Sequence, residues 1–308
     1  MLRYLVSGAG AIHGKFPLRP YIKLLKANKN LVLTGAPGTG KTFLTKEIAK
    51  AMDAEVEFVQ FHPSYDYTDF VEGLRPIKKG DILGFERIDG VFKKFCKKAI
   101  ELPSEHSNSG GAYVFIIDEI NRGDLSKIFG ELFYAIDPGY RGEKGKVKTQ
   151  YQNLINKDDV FADGLFVPEN VYILATMNDI DRSVESMDFA LRRRFAWKEI
   201  KPEDRLEMLS EKLDHDTCEK AARVMANLNK AITKTRGLGS AYQIGPAYFL
   251  KLDKERYNGD FTALWDMHIE ILLKEYLRGY SNADAKVEDL KKIYFDSLNG
   301  TTIDDADQ

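Results

Sequence analysis

The sequence predicts an α/β fold, a doubly wound parallel sheet followed by a small all-helical domain. Three observations carry that reading. Apolar runs alternate with helical patterns over the first two-thirds of the 308-residue chain. A glycine-rich octapeptide directly follows the first of those runs and opens a helical stretch. Beyond Pro202 the strand signal fades and helical spacing takes over. Alternation of this kind implies strands joined by crossover helices on both faces of one sheet.

The strand candidates are residues 31–34, 56–61, 113–117, 171–176 and 195–200. Several are nearly continuous in Val, Ile, Leu and Phe, as parallel strands covered on both faces require. Helical spacing of apolar residues falls at 42–52, 90–101 and 125–136, between the strands. Residues 141–168, rich in Gly, Lys, Asp and Asn, read as an inserted hairpin with short strands at 147–151 and 165–167. Helices are expected at 203–213, 216–235, 261–279 and 285–298. The expected division is an α/β nucleotide-binding domain over 1–201 and a helical domain over 202–308. The Asp-rich tail 303–308 is expected to be disordered. The joint between two such domains is a common place for a ligand.

Composition narrows the classes. Hydrophobic residues make up 44% and charged residues 30%, ordinary for a globular protein. A net charge of −2 argues against coating nucleic acid by bulk electrostatics. Cys96 and Cys218 are far apart and read as buried thiols. No apolar stretch approaches the ~20 residues of a membrane span, and the first residues lack the long apolar core of a signal peptide, so the cytoplasm is expected.

The octapeptide is Gly35, Ala36, Pro37, Gly38, Thr39, Gly40, Lys41 and Thr42, with Phe43 next in the helix. Glycines at these positions let backbone N–H groups turn inward around a phosphate. Lys41 reaches the β- and γ-oxygens, and the Thr42 hydroxyl can ligate Mg²⁺. The helix N-terminus adds its dipole. A second strand ends in Asp118 and Glu119, which delivers two carboxylates to the sheet edge where ligands bind. In the P-loop class Asp118 holds the Mg²⁺ shell, and Glu119 is placed to polarise the attacking water. A third strand ends in Asn178, an amide that can contact the γ-phosphate or that water, or serve as a turn residue. Arg192, Arg193 and Arg194 stand between apolar residues. They read either as a solvated turn or as a guanidinium presented to the phosphates of a neighbouring subunit. His62, before Pro63, reads as a structural contact, and the remaining histidines have no metal-ligand spacing.

This order of parts resembles the AAA+ ATPase superfamily, and more closely the McrB family of GTP-dependent motor subunits. The residues carrying the resemblance include Gln60, Phe61, His62 and Pro63, then Asp118, Glu119, Ile120, Asn121 and Arg122. Further on they are Met177 and Asn178 with Asp181, Arg182 and Ser183, and Ala190 to Phe195. The likeness extends over about residues 30–250. It implies Mg²⁺-dependent GTP hydrolysis, or ATP hydrolysis, by a homo-hexamer that drives a McrC-like endonuclease partner in restriction of modified DNA. It also implies that Asn178 and Asp181 place the lytic water with Glu119, and that Arg193 or Arg194 acts in trans. The GTP assignment rests on the resemblance alone, because the octapeptide reads phosphates and not bases.

Three departures stand out. Asp179 adds a carboxylate beside the site. Gln243 occupies the place where many such lids carry a phosphate-sensing arginine. The roughly thirty residues ahead of the first strand are too few for the amino-terminal DNA-reading domain of full-length members. DNA contact is therefore expected to be indirect or to require a domain outside this chain. Two other readings stay open: a MoxR-like AAA+ ATPase chaperone, and a slow-turnover assembly scaffold gated by nucleotide.

Overall fold

The computed structural model describes residues 16–80, 82–101, 111–180 and 189–300. Helix α1 (Arg19–Asn28) leads into β1 (Asn30–Thr34), the octapeptide loop and α2 (Lys41–Ala51). Strand β2 (Glu55–Gln60) and the single turn α3 (Tyr67–Phe70) precede a hairpin, β3 (Glu72–Lys79) and β4 (Ile82–Asp89). After α4 (Val91–Glu101) come β5 (Tyr113–Asp118), α5 (Leu125–Phe129), α6 (Leu132–Ala135) and β6 (Val171–Thr176). The short α7 (Phe189–Arg192) and β7 (Ala196–Glu199) complete the α/β region.

The sheet is parallel with strand order β2-β5-β6-β1-β7. All five predicted strands are therefore present, and β1, β5 and β6 are buried along almost their whole length. One face is filled by a cluster that includes Phe61, Phe70, Phe92, Phe115 and Phe129. The other is filled by Leu25, Leu44 and Ile48 of α1 and α2 against Leu31, Val114 and Leu174. Tyr67 and Phe70, from the aromatic stretch after β2, belong to the first cluster.

The structure departs from the local reading in several places. The helix expected over 125–136 is two short helices, broken where Gly130 adopts φ 50°. The β3–β4 hairpin is not among the predicted strands, and its apolar residues Leu83 and Phe85 face solvent at 70% and 68% exposure. Its root is pinned by a buried ion cluster. Lys93 and Arg87 meet Glu72 at 2.5 and 3.0 Å, and the Tyr151 N–H donates to the same carboxylate at 2.9 Å. The region 141–168 holds one antiparallel bridge, Val147 to Leu165, with 3-10 turns around it in place of a full hairpin.

The helical region contains α8 (Glu207–Ser210), α9 (His215–Lys234), α10 (Pro246–Phe249), α11 (Phe261–Leu264), α12 (Glu270–Tyr276) and α13 (Ala283–Leu298). The helix expected over 261–279 is α11 and α12 joined by a π-helical turn at Trp265–Ile269. The stretch 203–213 is likewise split between a 3-10 turn and α8. These helices share their own core around Leu228, Trp265, Leu273 and Tyr294. The tail 303–308 lies outside the described residues.

Candidate nucleotide site

Parallel pairing brings the three predicted strand ends to one edge. The register Ile117 to Ala175 sets Asp118 beside Thr176 at the next step, with β1 on the far side of β6. Asp118 Oδ1 accepts from the Thr42 hydroxyl at 2.7 Å and from the Thr176 hydroxyl at 2.6 Å. Among the described residues no cation lies within ion-pairing distance of Asp118. The Glu119 N–H donates to Thr176 Oγ1 at 3.1 Å, and Glu119 sits at φ 54°, a conformation costing a non-glycine residue about 1–2 kcal/mol. Strain of this kind, held by neighbouring bonds, is characteristic of working sites. Asn178 Nδ2 donates to Glu119 Oε1 at 2.5 Å, and the Arg122 guanidinium lies 3.5 Å from the other carboxylate oxygen. Thr176, the hub of this run, was read from sequence only as a strand residue. Its signal was its position opposite Asp118 in a parallel register.

The loop is shaped as the octapeptide requires. At Gly35, with φ 133°, a Cβ would lie 2.3 Å from the Ile200 carbonyl oxygen, so the first glycine allows β7 to pack against the loop. Lys41 is nearly buried, and its ammonium donates to the Gly35 and Ala36 carbonyls at 2.9 Å each. Burial pulls its pKa down to about 8, with Asp179, Glu119 and Asp118 acting in the opposite sense. Thr39 closes the turn through the Ala36 carbonyl at 3.0 Å. Phe43, just past the loop, is half exposed. Asp179 takes the Gly35 N–H; burial pushes its carboxyl up while Lys41 pulls it down.

The helical region meets this loop through backbone. The Gly245 N–H donates to the Pro37 carbonyl and the Ala247 N–H to the Gly38 carbonyl, both at 2.9 Å. A Cβ at Gly245 would stand 2.2 Å from the Gly38 carbonyl carbon. Asn229 holds the incoming segment from both sides, accepting from the Ile244 N–H at 2.7 Å and donating to its carbonyl at 2.9 Å. Nothing in side-chain periodicity announces such contacts. Gln243 turns away toward Thr233. Between loop and helices lies a cleft of about 540 Å³ whose walls include Pro37, Asn178, Arg122, Tyr242, Leu272 and Tyr276.

The three arginines separate. Arg194 donates to the Ala190 carbonyl and lies 3.8 Å from Asp137, and its own carbonyl accepts from Asn30 at 2.8 Å. Arg192 stacks over Trp197. Arg193 is exposed and engages no side chain of its own chain among the described residues. Asp181, expected near the water, lies outside the described residues, as do Arg182 and Ser183. Among the described residues no helix is long and apolar enough to cross a membrane.

Sheet, loop and strand-end carboxylates together define a P-loop nucleoside-triphosphatase domain of the AAA type. Residues 30–195 match the family model of the AAA domain, dynein-related subfamily, and residues 220–284 match the McrB alpha-helical lid domain. The chain belongs to the AAA family and is McrB-like, with a McrB-type lid. It is similar to the type IV methyl-directed restriction enzyme EcoKMcrB subunit of Escherichia coli K12, with 40% identity over 239 residues, 74% of this chain and 49% of that one. It also resembles the type II restriction enzyme BsuMI component YdiS of Bacillus subtilis 168, with 28% identity over 204 residues, 57% of this chain and 58% of the relative. The chain thus spans about half the length of the curated relatives it matches.

Proposed function

We propose that this domain hydrolyses a nucleoside triphosphate, GTP in preference to ATP, at a site completed by a second copy of the chain in a ring. The hydrogen-bonded run Thr42–Asp118–Thr176–Glu119–Asn178 is the observation that carries the reading. Thr42 and Asp118 would hold Mg²⁺. They are hard oxygen donors in direct contact, and Mg²⁺ takes few protein oxygens, leaving its remaining positions to water and phosphates. When bound, the ion would neutralise phosphate charge.

The chain's own residues do the rest. Loop N–H groups and the Lys41 ammonium, released from the Gly35 and Ala36 carbonyls, take up the phosphates. Glu119 accepts the proton of the attacking water, and Asn178 fixes the carboxylate's orientation while it does so. Lid contacts at Pro37 and Gly38 tie loop position to lid position. Arg193 is the residue proposed to reach the neighbour's phosphates, since Arg194 is committed to Ala190 and Asp137 within its own chain. Asp181 is proposed to help place the water.

The names of the two relatives support a role in a restriction system, and that of the Escherichia coli relative supports one directed at methylated DNA. A McrC-like endonuclease subunit that stimulates turnover, and a cytoplasmic location, are proposed from the family resemblance. The base preference rests on that likeness. Turnover with GTP and with ATP at matched saturation tests it; faster ATP turnover would overturn the GTP assignment and favour a chaperone-type ATPase. Fast turnover without any partner would exclude the gated scaffold.

A further inference from the structure

We infer that Asn30, its amide oriented by the buried Arg141, is the positioning residue that fixes the Arg192–Arg194 turn and leaves Arg193 available to a neighbour, a role that rests on the shared site proposed above. Helix α7 is four residues long, and a single helical turn has no stability of its own. Its placement must come from outside bonds. Asn30 is fully buried at the first position of β1, and its Nδ2 group donates to the Arg194 and Ile136 carbonyls at 2.8 Å each. The oxygen of the same amide accepts from the Arg141 guanidinium. Arg141 is 1% exposed and also donates to the Ile136 and Val171 carbonyls, at 3.2 and 3.3 Å. Among the described residues no carboxylate lies within ion-pairing distance of it. A guanidinium only donates, so Arg141 decides which end of the Asn30 amide meets the turn. Asparagine supplies both the two N–H donors and the acceptor that these three partners need. Aspartate has no donor, and leucine has neither.

The turn is thereby held on both sides of Arg193. Ahead of it, the Arg192 carbonyl accepts from Trp197 Nε1 at 2.9 Å, and the Arg192 guanidinium stacks over the same ring. Behind it, the Arg194 carbonyl is bonded to Asn30, and the Arg194 side chain returns to the Ala190 carbonyl. Asn30 is the one fully buried residue among these anchors. Strand β1 runs from Asn30 to Thr34, so the phosphate loop opens at its other end, about 15 Å away. An arginine side chain does not span that length, which leaves Arg193 out of reach of its own loop. The strand that carries one chain's loop therefore sets, at its opposite end, the residue proposed for the neighbour's loop.

The test uses the full chain. Asn30→Asp keeps the side chain's size and gives Arg141 a carboxylate, but it can donate to neither carbonyl. Its affinity for a non-hydrolysable GTP analogue, by calorimetry, should stay near that of the wild type. Turnover at saturating nucleotide should fall about tenfold to a hundredfold. Mixed with Glu119→Gln, it should recover toward about a quarter of the wild-type rate. Mixed with Arg193→Ala, it should recover nothing. The double variant Asn30→Asp with Arg193→Ala should be no slower than Arg193→Ala alone. Asn30→Thr, which keeps one donor in a strand-favouring residue, should fall between, and it carries the same mixtures if the aspartate variant does not fold. Three results would overturn the positioning role: unchanged turnover, an affinity loss as large as the turnover loss, or a double variant slower than Arg193→Ala by the full Asn30→Asp factor. If Glu119→Gln rescues Arg193→Ala but not Asn30→Asp, the positioning role falls and the shared site stands. If it rescues neither, both fall together.

Discussion

Two groups of acidic residues in the α/β region differ in what meets them. At the hairpin root Glu72 is fully buried, and Lys93 and Arg87 answer it from within the chain. Burial pushes its carboxyl up, but Lys93, Thr149 and the Tyr151 N–H outweigh that and hold it low. At the sheet edge Asp118 is met by two neutral hydroxyls, and Glu119 by an amide and a more distant guanidinium. Both groups are held by several polar contacts. The first is answered by two cations of its own chain and is structural, whereas in the second Asp118 meets neutral hydroxyls, as a ligand awaiting a cation should.

Substitutions can break that contrast at either end. The largest change is expected from Glu119→Gln, which keeps the Asn178 contact but removes the base. Turnover should fall about 10²–10⁴-fold while nucleotide affinity measured by calorimetry stays near that of the wild type. At the structural end, Glu72→Ala leaves the buried Lys93 only the Asp89 carboxylate, at 3.3 Å, and should cost about 3 kcal/mol in denaturant unfolding. A loss below about 1 kcal/mol would mean that the ion cluster does not hold the hairpin.

Thr176→Val removes the hydroxyl that joins Asp118 to the Glu119 backbone while keeping the strand's shape. A tenfold fall in turnover, about 1.4 kcal/mol, is expected with little change in unfolding midpoint. An equal loss of stability and activity would make Thr176 a packing residue.

The mildest lever is pH. Lys41 has its folded pKa lowered to about 8, so above that pH the free domain loses the ammonium that binds phosphate. Bound phosphates favour the charged form, so affinity should fall up to about tenfold per pH unit above 8 and be flat below it. Binding near pH 8.5 should take up a proton, seen as a buffer-dependent calorimetric heat. The same shift has a stability sign. Between pH 8 and the ordinary lysine value the unfolded chain binds more protons, so the lysine's contribution to stability rises with pH across that window.

How much of this was legible follows from which forces wrote the pattern. The octapeptide, Asp118, Glu119 and Asn178 were visible because phosphate and water chemistry demands those types at strand ends. Thr176 was not, since a β-branched residue closing a strand looks the same whether it packs or bridges; only the register against β5 reveals it. The contacts of Gly245 and Ala247 with the loop are backbone to backbone and leave no side-chain signature beyond a glycine. The β3–β4 hairpin pairs only with itself, outside the five-stranded sheet, so the alternation of strands and helices does not point to it. The three arginines were visible as a cluster, but their separation depends on Asn30 and Asp137, remote in sequence from the turn.

A shared site is tested most directly by mixing two disabled variants, Glu119→Gln and Arg193→Ala. In a randomly mixed ring about one interface in four joins an intact Glu119 to a neighbour's intact Arg193. Turnover should therefore rise well above that of either variant alone, toward about a quarter of the wild-type rate. A mixture no faster than the average of its two components would contradict a site built from two subunits.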